Sequence, residues 1–79
     1  MFKIKAPDGR NNISGKKVQQ YRMEKDMSQY KLAEKIQAMG HDVDNHFIRR
    51  IENGERFVTD IELIILSEAL GVSIDDLLG

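Results

Sequence analysis

Seventy-nine residues make one domain, near the lower limit at which a single apolar core suffices without a metal or a cross-link. The chain has no cysteine, which excludes a disulfide framework and a thiolate metal site and is compatible with a reducing compartment. Lysines interrupt the apolar residues of Met1-Phe2-Lys3-Ile4-Lys5, and the longest aliphatic run is only Leu63-Ile64-Ile65-Leu66, so neither a signal peptide nor a membrane span fits and a soluble cytoplasmic protein is expected.

The segment from Met1 to Asn12 shows a brief alternation, Phe2 and Ile4 against Lys3 and Lys5, and then the turn signal Pro7-Asp8-Gly9. It reads as an N-terminal arm ahead of a domain at 13–79, either a frayed terminus or a short strand that pairs with a partner subunit. Asn12 or Ser14 caps a first helix that runs to about Lys25, with Val18, Tyr21 and Arg22 on one face. Ser28 caps a second helix with the buried stripe Leu32, Ala33, Ile36 and Met39, and Gly40 stops it. A third helix is capped by Asp44 and ends at Gly54. Thr59 with Glu62 forms a capping box for a strongly apolar fourth helix through Leu70, closed by Gly71. Ser73 with Asp76 opens a last short helix from Ile74 to Leu78. The expected fold is all-α, a compact five-helix bundle without repeats or low-complexity segments.

Charge is distributed unevenly along these elements. Residues 1–56 hold all 12 Lys and Arg against 8 Asp and Glu, a balance of +4, whereas residues 57–79 hold 5 acids and no Lys or Arg, so the near-neutral total of −1 hides a basic region of the kind that binds polyanions. On a wheel of about 100° per residue with Asn45 at zero, Phe47, Ile48 and Ile51 fall between about 200° and 300° and must face the core. Arg49, Asn53, His46 and Arg50 fall between about 40° and 140°, an outward polar face whose donors suit guanine and adenine edges. Two charges sit where isolated charges are unfavourable: Arg22 on the apolar stripe of helix one, and Glu52 in the last turn of helix three, where the helix dipole opposes an anion. Their opposite signs predict a partly buried ion pair locking the two helices together.

Ser28-Gln29, Leu32-Ala33-Glu34 and Ile48-Arg49-Arg50-Ile51-Glu52-Asn53-Gly54 together resemble the phage repressor and Cro-like helix-turn-helix family, over roughly Ser14 to Leu78. The resemblance implies a repressor-like DNA-binding domain, with 45–53 as recognition helix in the major groove of double-stranded DNA. Carried over residue by residue, it implies that Asn45, His46 and Arg50 read bases, with Arg49 reaching a base or a phosphate. Gln29, Lys31, Asn53 and Arg56 would lie on the DNA backbone, and the Arg22 and Glu52 pair is implied as well. The interval from Ala33 to Glu52 is about five residues longer than in the commonest members of the family. Helix two is therefore expected to gain a turn, and Gly40 to Val43 to bulge outward. Phe47 replaces a small residue and is either core or in contact with a thymine methyl.

Other chemistry finds no support in the residues. Asp42, Asp44 and His46 alternate like the start of a calcium loop, but Phe47 stands where the sharp-turn Gly is needed and Asn53 where the bidentate Glu belongs. His41 and His46 are five apart, which is not the one-face spacing of a helical zinc pair. No nucleophile elbow, phosphate-binding Gly-rich loop or Cys nucleophile is present, so no enzyme, metal or cofactor is expected. Apolar residues surround most of the fourth helix, and Leu63, Leu66, Leu77 and Leu78 are expected at a homodimer interface placing two recognition helices about 34 Å apart on a pseudo-palindromic site. The alternative is that this helix is simply the buried centre of the bundle. A protein-interaction module of the antitoxin or adaptor kind, using the same apolar helices, is the second functional reading.

Overall fold

The structure is a computed structural model that describes residues 4–79, so Phe2 and Lys3 lie outside the described residues. Five helices follow in order: α1 (Gly15–Glu24), α2 (Gln29–Ala38), α3 (Asn45–Glu52), α4 (Asp60–Leu70) and α5 (Ile74–Leu78). Their starts are set by side chains that accept orphan backbone N–H groups. Ser28 Oγ accepts from the Lys31 N–H at 2.9 Å and Asp44 Oδ1 from the Phe47 N–H at 3.1 Å. Thr59 with Glu62, and Ser73 with Asp76, close reciprocal capping boxes. At α1 the cap comes from Asn12, whose Oδ1 accepts from the Gly15 N–H at 2.8 Å, and the Ser14 side chain makes no capping bond.

The apolar stripes of all five helices meet in one core of Val18, Leu32, Ala33, Ile36, Ile48, Ile51, Leu66, Ala69, Leu70 and Leu77, each at most 2% exposed. α3 is seated against α2 and α1, while α4 and α5 close the other side of α1 and α2. The α3 assignment by angle holds: Ile48 and Ile51 are fully buried and Phe47 packs half-buried beside them.

Two expectations are corrected, the first by burial. Leu66 and Leu77, expected at a subunit interface, are both 0% exposed inside the protomer's own core and have no surface to offer a partner. The accessible apolar residues at this end are Ile61, Ile64 and Leu78, with Leu63 half-buried. α4 thus has a core face of Leu66, Ala69 and Leu70 and an outer face of isoleucines, which explains why its sequence is apolar nearly all round.

The second correction concerns the N-terminal segment. Residues 6–12 form neither an arm nor a strand: Ala6 and Arg10 close a turn, and the Asn11 N–H then donates to the Gly54 carbonyl at 2.8 Å. The turn is steadied by Asp8, which accepts from the Arg10 backbone N–H at 3.1 Å and lies 3.2 Å from Lys16 Nζ. The Arg10 N–H first, and Lys16 second, hold the Asp8 carboxyl below the ordinary carboxylate range. This segment is a strap across the end of α3.

Candidate nucleic-acid interface

A helix of eight residues leaves as many orphan groups at its ends as it satisfies within, so its placement depends on what grips those ends. At the N-terminal end of α3 the grip is the Asp44 cap. At the C-terminal end three consecutive side chains of the strap supply donors. Arg10 Nη2 donates to the carbonyls of Glu52 at 2.6 Å and Ile51 at 3.3 Å, Asn12 Nδ2 to those of Ile51 at 3.1 Å and Arg56 at 2.7 Å, and Asn11 Nδ2 to Glu55 at 2.8 Å. A cation over the last carbonyls also complements the negative end of the helix dipole. Gly54, at φ +79° with the Arg10 side chain 2.8 Å from where a Cβ would stand, lets the chain turn beneath the guanidinium.

The side of α3 facing α1 carries the ion pair expected from the two misplaced charges. Arg22 Nε donates to Glu52 Oε2 at 2.7 Å and Nη2 to Oε1 at 3.0 Å, a bidentate fork, while Nη1 donates to the Met27 carbonyl at 2.6 Å. The side chains are only 11% and 1% exposed. Gln29 Nε2 donates to the same Glu52 Oε1 at 3.0 Å. One carboxylate therefore ties the end of α3 to α1 and to the first residue of α2.

The outward side is different. His46, Arg49, Arg50 and Asn53 are exposed and Asn45 is half-buried. Neither arginine has an ion pair or a side-chain hydrogen bond among the described residues, so both guanidinium forks are free to meet an external partner. Beside them a notch of about 280 Å³ is lined by Asp44, His46, Phe47, Arg50 and Arg56.

A model of the helix-turn-helix family matches residues 18–77. The chain belongs to that family, of the Cro and C1 type. As a helix-turn-helix protein it is a DNA-binding transcription regulator and not an enzyme. Its fold is similar to the solved structure of the restriction-modification controller protein C.AhdI from Aeromonas hydrophila, with a TM-score of 0.70 and 25% identity over 81% of this chain and 89% of that one. No curated protein matches the chain.

Within the helix-turn-helix frame, α2 and α3 are the motif pair. Their long connection behaves differently from a plain outward bulge. His41 and Asp42 are exposed, but Val43 turns inward to pack against the core and its carbonyl accepts from Gln37 Nε2 at 2.6 Å, which fastens the connection to the last turn of α2. No group of His, Asp and Glu among the described residues is arranged to hold a metal ion, and no described helix is long and apolar enough to cross a membrane.

The residues expected on the DNA backbone divide. Lys31 stands exposed 3.8 Å from Glu34, a surface pair weak enough to be exchanged for a phosphate, and Asn53 is the exposed C-cap of α3. Gln29 is partly committed, one of its amide N–H donors being spent on Glu52. Arg56 is engaged within the fold, its guanidinium bonded to Glu62 and lying 4.9 Å from the Phe47 ring centroid, so it joins the loop after α3 to both α3 and the capping box of α4. Sequence reasoning missed the strap donors Arg10, Asn11 and Asn12. The only local signal was a run of three donor-bearing residues before a glycine-initiated helix.

Proposed function

We propose that the protein is a sequence-specific transcriptional repressor that acts in the cytoplasm as a homodimer on a pseudo-palindromic operator. The observation that carries this reading is the outward face of α3, where His46, Arg49 and Arg50 stand exposed and uncommitted on a helix clamped from behind by Arg22 and Glu52. In the major groove Asn45, His46 and Arg50 would meet base edges, with Arg49 on a base or the adjoining phosphate. Lys31, Gln29 and Asn53 would follow the backbone at the ends of α2 and α3, where contacts set register rather than sequence preference. Arg56 enters such a complex as a support for Phe47 unless it leaves Glu62. The likeness to a restriction-modification controller supports the regulatory reading.

Selection of bound duplexes from a random library, followed by titration at two salt concentrations, tests the proposal. A single palindromic consensus, with affinity falling steeply as salt rises, is expected; binding no tighter than to random duplex would overturn it. Replacing Arg50 with alanine should cost about 1–3 kcal/mol on the consensus and relax preference at one base pair, as for loss of a bidentate guanine contact. Uniform weakening across sequences with a shallower salt slope would reassign Arg50 to a phosphate.

For the dimer, the surface to test is the outer face of α4. Ile61 is 67% and Ile64 46% exposed, and adjacent branched apolar side chains at that exposure favour burial against a second copy. The double substitution Ile61→Asp with Ile64→Asp leaves the core untouched and should weaken self-association at least about tenfold in sedimentation equilibrium. An unchanged monomer–dimer equilibrium would remove this face from the interface.

A further inference from the structure

We propose that Arg10 is a positioning residue for base recognition: it touches no DNA and fixes the axial placement of α3 by gripping the Ile51 and Glu52 carbonyls. The inference rests on the reading of α3 as a base-reading helix and extends it to a segment outside the 18–77 family match.

The argument begins with the outward side chains. His46, Arg49 and Arg50 have no side-chain partners within the described fold, so where their tips lie is decided by where α3 lies. Packing of Ile48 and Ile51 holds α3 against the core but is non-directional, and apolar contacts tolerate small slides along the helix axis. Directional constraints come from its ends and from Glu52. The Asp44 cap supplies one bond at the start. At the finish, Arg10 alone spans two successive carbonyls, and its guanidinium lies against two glycine backbones: a Cβ on Gly15 or Gly54 would stand 2.6–2.8 Å from it. Its Nε is buried without a hydrogen-bond partner, so the group sits there for its Nη2 contacts and its charge over the helix terminus.

Base-edge recognition requires placement to within about 0.5 Å, whereas attraction to phosphates tolerates much looser geometry. Loosening the α3 terminus therefore degrades discrimination before it degrades general DNA affinity. This separates a positioning role from a phosphate contact and from simple loss of fold.

The test measures binding of the whole chain to two duplexes of equal length, the tightest sequence recovered by selection with the wild-type protein and a scrambled version of it. Arg10→Gln is expected to lower the ratio of the two affinities about tenfold while the salt slope on the scrambled duplex stays constant. Arg10→Lys, which keeps the charge but loses the fork, is expected to fall between wild type and Arg10→Gln and serves if the glutamine variant does not fold. The ratio is independent of the folded fraction, so lowered stability alone leaves it unchanged. A ratio within twofold of wild type in the variants overturns the positioning role, as does a salt slope shallower by about 1, which would make Arg10 a phosphate contact. A wild-type chain that fails to discriminate between the duplexes overturns the base-reading premise itself, a result distinct from either of the others.

Discussion

Replacing Glu52 with alanine is expected to destabilise the domain by about 3–5 kcal/mol, the usual penalty for leaving one member of a buried pair without its partner. The orphan would be Arg22, 11% exposed at its side chain and left with the Met27 carbonyl as its acceptor. Gln29 would lose its acceptor in the same step. A domain of this size holds roughly 5 kcal/mol in all, so chemical denaturation should find Glu52→Ala with only about 0–2 kcal/mol left near room temperature. Glu52→Gln, which keeps the shape and one acceptor oxygen, should retain more of the fold. The pair as a whole is a weaker contributor than that penalty suggests, because desolvating both ions offsets much of their attraction. Accordingly, the paired change Arg22→Met with Glu52→Met is expected to fold better than either single alanine variant. Equal instability of the single and double variants would refute this account of the clamp.

Gly15→Ala should be nearly as damaging, although alanine ordinarily favours a helix over glycine by about 1 kcal/mol. A Cβ at Gly15 would stand 2.0 Å from the Ile51 carbonyl oxygen, 2.6 Å from Arg10 Nη2 and 2.7 Å from Asn12 Oδ1. The nearest of these is backbone of α3 and cannot swing aside. Relief requires moving the start of α1 away from the end of α3, which also opens the strap's bonds to Ile51. Overpacking alone costs about 1–3 kcal/mol, and with the strap displaced the loss should reach about 3 kcal/mol or more in thermal unfolding. A variant as stable as the parent would show that α1 and α3 can separate without cost.

The five helices and most of their boundaries were legible because the information lies within a few residues of where it acts. Ser28, Asp44, Thr59 and Ser73 each stand immediately before a helix and accept from the N–H three residues on, and the angular spread of Ile48 and Ile51 against Arg49 and Arg50 divides α3 into its two sides without reference to anything else. The Arg22 to Glu52 pair was legible for another reason: each charge is out of place in its own helix, and misplacement is visible locally even when the partner is not. The strap gave no such sign. Arg10, Asn11 and Asn12 are ordinary polar residues after a turn, and their acceptors are backbone carbonyls about forty residues away, groups every residue possesses and no side chain advertises. The fate of α4 was ambiguous on similar grounds. An apolar circumference tells how much surface wants burial, but which of Leu66 and Ile64 faces inward is settled by the neighbours.

The strap also bears on the order in which the molecule assembles. Its bonds join residues 10–12 to residues 51–56, long-range closures that enclose the first three helices. Loop closure of this length carries an entropic cost that grows only logarithmically with the residues enclosed, so one ring of hydrogen bonds suffices to hold it once α1 and α3 have met. During synthesis both halves of that ring leave the ribosome before α4, which supplies Leu66 and Leu70 to the core. The contacts that steady the outward face of α3 are therefore available early, and the acidic C-terminal third arrives afterwards to complete the core around a ring already able to close.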